Sequence, residues 1–265
     1  DPNFPTNLVL NLRGLTQLQH LQLLNTERTT IYNFNELAKI QTWPCLESLT
    51  LTADHFLHLG EVYKEKRHAP LFLSSMPKLS SFVYTSVITQ IPFLRSQTTC
   101  LQHLHLYMCR DLIDLPKFTE LQSLKLDNGS LWSTNEALKM AAQMSTLTSL
   151  QLCYSFGYGG DDISLTLEDI QRLPTQLQVL QLPTWNNQID MNDFHNALAP
   201  LLALRSFAGL IDRHSINHLD WVSCRDKFVA AHPQLEFFQG APVGTQSLLS
   251  YLEVVKLDFK KENSI

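Results

Sequence analysis

Two histidines one residue apart, His103 and His105 in the segment LQHLHLY, share a face if that segment is extended, because side chains alternate along a strand. Such a pair is a candidate metal-ligand set. Asp127, in the related segment LQSLKLD, is the only further ligand at a matching place. Three groups of this kind fall short of a closed metal site, so none is assigned. Together with Tyr107 and Lys125 they are read instead as a contact patch for a partner.

Other stretches with chemical potential reduce to simpler readings. The acidic, glycine-containing run GYGGDD at 157–162 lacks the Lys-Ser or Lys-Thr that a phosphate loop requires at its helix start. It is read as a loop. Neither G-x-S-x-G nor H-E-x-x-H nor C-x-x-C occurs. Cys109 and Cys153 come near His105 in the repeat register described next, which makes a thiol nucleophile conceivable. Cys109, however, falls where a buried, inert thiol is expected. The chain is expected to have no catalytic residue, to bind no cofactor and not to be an enzyme.

The elements that position these residues repeat. The pattern L-x-x-L-x-L occurs at Leu18/Leu21/Leu23, Leu46/Leu49/Leu51, Leu101/Leu104/Leu106, Leu121/Leu124/Leu126, Leu147/Leu150/Leu152 and Leu177/Leu180/Leu182. Looser copies lie at Leu79/Phe82/Tyr84, Leu204/Phe207/Gly209 and Leu235/Phe238/Gly240. Nine triplets span 27 positions and only the two glycines are not apolar, whereas a 44% hydrophobic composition predicts roughly 12 apolar positions. Self-similarity at this period marks a solenoid, in which each unit buries its apolar face against its neighbours.

The alternation within each triplet predicts nine short strands, stacked as a parallel sheet with leucines inward and the intervening residues outward. At ~4.8 Å per strand the array spans on the order of 40 Å, wide enough for a protein partner. Spacing between first leucines varies from 20 residues (Leu101 to Leu121) to 33 (Leu46 to Leu79). Short steps leave room for an extended or single-turn return, and long ones for a helix. Helix starts are expected at Ser133 with Glu136 at capping-box spacing, at Ser164 or Thr166 before LEDIQRL, at Asp190 or Asn192 before DFHNALAPLL, at Asn33 or Asn35 before ELAKI, and at Ser215. Residues 1–17 read as a partial N-terminal repeat and 248–265 as a C-terminal cap and tail, the whole of 1–265 forming one domain.

Loops after three consecutive strands carry aromatics: Trp132 in DNGSLWS, Tyr154, Phe156 and Tyr158 in CYSFGYGGDD, and Trp185 in PTWNNQID. Equivalent offsets in stacked units become neighbours, so these side chains either line one rim as interface anchors or fold inward over the loops.

The bulk properties narrow the partner class. A net charge of −5 and the absence of any Lys/Arg run longer than a pair disfavour nucleic acid. No apolar run reaches membrane-spanning length. Five scattered cysteines, odd in number, point to a reducing compartment. The chain opens at Asp1 without a basic start or long apolar stretch, and is read as a fragment of a longer protein or a processed form.

The quoted triplets resemble the leucine-rich-repeat superfamily. That resemblance implies an α/β horseshoe with a parallel concave sheet and a mixed helical and extended convex side, a monomeric array that binds protein on its concave face. It also implies a ladder of side-chain bonds three residues after the third leucine, where Thr26, Asp54, Cys109, Ser155 and Asp212 stand, but an incomplete one, since Val87, Gly129 and Trp185 fill the same place in other units. The irregular steps resemble intracellular repeats of F-box substrate receptors and of effectors that bacteria deliver into host cells. The expected function is therefore non-enzymatic protein binding in a cytoplasm, including that of a host. The alternative is the substrate-recognition arm of a larger ubiquitin-ligase-type enzyme. The expected contact residues are His103, His105, Tyr107, Lys125, Asp127, Trp132, Tyr154, Phe156, Tyr158 and Trp185.

Overall fold

The structure is a computed structural model. It describes residues 12, 14–26, 41–53, 75–85, 100–107, 115–127, 134–153, 166–185, 191–211, 218–238 and 241–243. The expected cap at 248–265, most of the partial repeat at 1–17 and the helix start before ELAKI lie outside those residues.

Every triplet forms a strand: β1 (His20–Thr26), β2 (Ser48–Ala53), β3 (Ser81–Thr85), β4 (His103–Tyr107), β5 (Ser123–Asp127), β6 (Ser149–Cys153), β7 (Val179–Trp185), β8 (Ser206–Ile211) and β9 (Phe237–Phe238). They pair in sequence order as one parallel sheet, and β10 (Ala241–Pro242) closes it with an antiparallel pair on β9. Pro242 suits an edge strand, since it has no N–H to offer a further chain.

Register follows the triplets. Leu104, Leu124, Leu150, Leu180 and Phe207 stand in one row across the sheet, and all are buried. The intervening residues on β5 and β6 are half-buried, giving the strict alternation that a one-sided core produces. Although glycine replaces the third leucine in β8, Gly209 pairs with Leu182 and the register holds. The C-terminal end of the core is aromatic: Phe228 packs 5.2 Å from Phe207 and 5.3 Å from Phe238, ring centre to ring centre.

The return segments vary as the steps predict. Among the described residues the shortest step makes a 3-10 turn, Leu115–Lys117. Longer ones build helices α1 (Thr134–Ala141), α2 (Leu167–Gln171), α3 (Met191–Leu198) and α4 (His218–Ala231). Helix α1 buries Thr134, Ala137, Leu138 and Ala141, the spacing of one helical face. Glu136 in its first turn and Lys139 in its last complement the helix dipole. This is a leucine-rich-repeat solenoid with a parallel sheet on one side and mixed returns on the other. Among the described residues no helix is long and apolar enough to cross a membrane.

One local expectation changes. Thr166 does occupy the N-cap of α2, but its side chain makes no capping bond. Its backbone N–H instead donates to Asn135 Oδ1 at 2.9 Å, so α1 holds the start of α2 from the preceding unit. Of the positions named for the side-chain ladder, Thr26 lies within β1, in register with Ala53.

The bonds that join units lie on the entry side of the strands. The carbonyls of Gln19, Glu47, Ser80, Gln102, Gln122, Thr148, Gln178 and Arg205 each accept two consecutive N–H groups from the next unit, at 2.7–3.1 Å. One residue before the first leucine, Thr146 Oγ1 donates to the carbonyls of Thr119 and Leu121, and Cys100 Sγ reaches those of Pro77 and Leu79 in the same way. Cys100 thus does at β4 what a threonine does at β6.

Candidate partner-binding face

The face of the sheet opposite the leucines is formed by two long rows. One passes His20, Ser48, Ser81, His103, Ser123, Ser149, Val179, Ser206 and Phe237. The other passes Gln22, Thr50, Val83, His105, Lys125, Gln151, Gln181 and Ala208. Strand pleating places both rows outward once the leucines are inward. Most of these side chains are small and uncharged, and titratable groups gather in the middle of the array.

There the sheet assembles what the sequence grouped. His103 is in register with Ser123, His105 with Lys125, and Tyr107 with Asp127. His105 Nε2 lies 2.5 Å from Asp127 Oδ2, and Lys125 Nζ lies 3.4 Å from the same oxygen. An ionised carboxylate only accepts, so Nε2 carries the hydrogen and Nδ1 is the ring nitrogen left for other contacts. Asp127 is the floor of the group, its side chain 19% exposed against 24% for His105 and 36% for Lys125. His103 is exposed beside them.

The sequence reading brought Cys153 near His105 only as a conceivable nucleophile and left it out of this contact group. Cys153 stands in register with Asp127 on β6 and donates its thiol to the carboxylate. Its signal was its place immediately after the third leucine, which Tyr107 and Asp127 share in their own strands. Burial pushes the Cys153 thiol up, and the bond to Asp127 with its negative charge adds to this, to about 12 in all. Burial alone would also raise the Asp127 carboxyl. The His105 hydrogen bond and charge, the Cys153 hydrogen bond and the Lys125 charge together outweigh that, and Asp127 sits below its ordinary value. A thiol held protonated in this way is a poor nucleophile. Among the described residues, no group of three or more His, Cys, Asp or Glu side chains is arranged to hold a metal ion.

The rim is only partly placed. Trp132, Tyr154, Phe156 and Tyr158 lie outside the described residues. Trp185, expected in the loop after β7, is instead the last residue of that strand, in register with Ile211. The register shifts between Leu182 and Trp185, around Pro183. A proline offers no N–H to the ladder, and a bulge there lets pairing resume beyond it.

In backbone course the chain is similar to an internalin from Listeria monocytogenes, at 18% sequence identity and a TM-score of 0.46, over 89% of this chain and 67% of that one. No protein-family model matches the sequence, and no curated protein matches it.

Proposed function

We propose that this chain is a non-enzymatic protein-interaction module that holds its partner on the open face of the sheet, centred on His103, His105, Lys125 and Asp127. The observation that carries the reading is the concentration of charged and hydrogen-bonding side chains at mid-array, on a face otherwise lined mainly by serine, threonine, glutamine and small apolar residues, with His20 and Phe237 at its two ends. A rigid sheet presents these groups in fixed register, so little ordering entropy is lost on binding. The protonated Cys153 supports a binding role over a nucleophilic one. Irregular repeat lengths are shared with the recognition arms of ubiquitin-ligase complexes and with delivered bacterial effectors, and a protein-binding open face serves either setting.

The test blocks the face without altering its charge. Ser123→Trp and Ser149→Trp place bulk on half-buried outward positions of adjacent strands. In affinity capture from eukaryotic lysate, a protein retained by the unmodified chain should be lost from both variants while their circular dichroism stays unchanged. Retention that ignores both substitutions, or no specifically retained protein at all, overturns the reading.

A further inference from the structure

The charges of the open face run against those of the whole chain. The full chain carries a net charge of −5. On the two outward rows, however, the described titratable side chains are His20, His103, His105 and Lys125, and no acid is among them. Asp127, one step beyond on β5, is already committed: it accepts from His105 Nε2, Lys125 Nζ and the Cys153 thiol. It is also the most buried of the ion-paired group, so the groups nearest to an approaching molecule are the donors. A carboxylate in this position holds the basic side chains above it and is less exposed than either of them.

Building on the open-face reading above, we propose that the surface at His103, His105 and Lys125 takes an acidic segment of the protein partner, with its carboxylates seated against these three side chains. Charge complementarity decides the occupant. The charge nearest an approaching molecule is the Lys125 ammonium, 36% exposed above the less exposed Asp127, with the His103 and His105 rings on the adjacent strand beside it. The groups around them do not reverse that sign: His103 stands between Ser81 and Ser123, and His105 between Val83 and Lys125. The adjoining hydroxyls of Ser81, Ser123 and Ser149, with the Gln151 amide, add neutral donors to further carboxylate oxygens. A basic segment would meet like charge at Lys125 and find Asp127, the carboxylate beside it among the described residues, occupied.

A fluorescein-labelled glutamate decamer and a lysine decamer serve as probes, read by anisotropy at low salt with the full chain. Imidazole NMR signals of His103 and His105, assigned through His→Gln variants, report the location. The glutamate decamer should bind and shift both imidazoles. Lys125→Glu should weaken it at least tenfold, Lys125→Arg should leave it within twofold, and the lysine decamer should shift neither signal. No binding of the glutamate decamer at millimolar chain, binding indifferent to Lys125→Glu, or equal shifts from the lysine decamer would overturn the proposal. Those results leave the open-face reading standing, because the neutral tryptophan variants test that separately.

Discussion

At the scale of single residues, Asp127 sets the properties of its neighbours, and two consequences can be measured. Its folded pKa lies below the unfolded one, so the native state binds fewer protons in acid. The stability it contributes is present above the unfolded value, about 3.9, and drains as pH falls through the folded value. Asp127→Asn should therefore destabilise most near neutrality, and its urea midpoint should converge on that of the parent chain in strong acid. Cys153 behaves oppositely: its folded pKa is raised, so its contribution is full below the unfolded thiol value and is lost as pH rises toward about 12. Asp127→Asn removes both the hydrogen-bonded carboxylate and its charge while leaving the burial. Iodoacetamide should then alkylate Cys153 at a lower pH than in the parent chain, though still above an ordinary thiol's range. An unchanged alkylation profile would mean that burial alone holds the proton.

At the scale of the element, the leucine triplets made the strands legible because a one-residue slip would turn every leucine to solvent. Even β8 obeys, its register fixed by Leu204 and Phe207 although Gly209 breaks the pattern. The patch was legible for the same reason, since residues at one offset in successive triplets must become neighbours. What stayed hidden was backbone chemistry. The carbonyls that bind pairs of N–H groups from the next unit belong to Gln19, Glu47, Ser80 and others with no common side chain, so no residue type marks them. The same blindness placed Trp185 in a loop, because the continuation of β7 depends on pairing with β8 beyond Pro183. The side chains that reinforce these junctions are testable. Thr146→Val removes two bonds to the preceding unit at nearly constant volume and should cost about 1 kcal/mol, read from the chemical denaturation midpoint. Thr146→Cys should recover part of the loss, because Cys100 makes the equivalent bonds two units earlier in the array.

At the scale of the molecule, each strand contacts only the strands before and after it, so stability should be nearly one-dimensional. Leu150 is fully buried at the centre of β6, in register with Leu124 and Leu180, and both neighbouring units pack against it. Leu150→Ala should cost ~2–5 kcal/mol through lost burial and the cavity left behind. In a globular core that loss would be shared by every amide. In a solenoid it falls on the unit and its two interfaces, and distant units open by their own local equilibria. Hydrogen exchange followed by mass spectrometry should therefore show lost protection in peptides covering β5, β6 and β7, with β1 and β2 close to the parent chain. A uniform loss from β1 to β9 would show that the array unfolds as one unit, and the mid-array patch proposed to bind a partner would then owe its rigidity to the whole sheet and not to the strands that flank it.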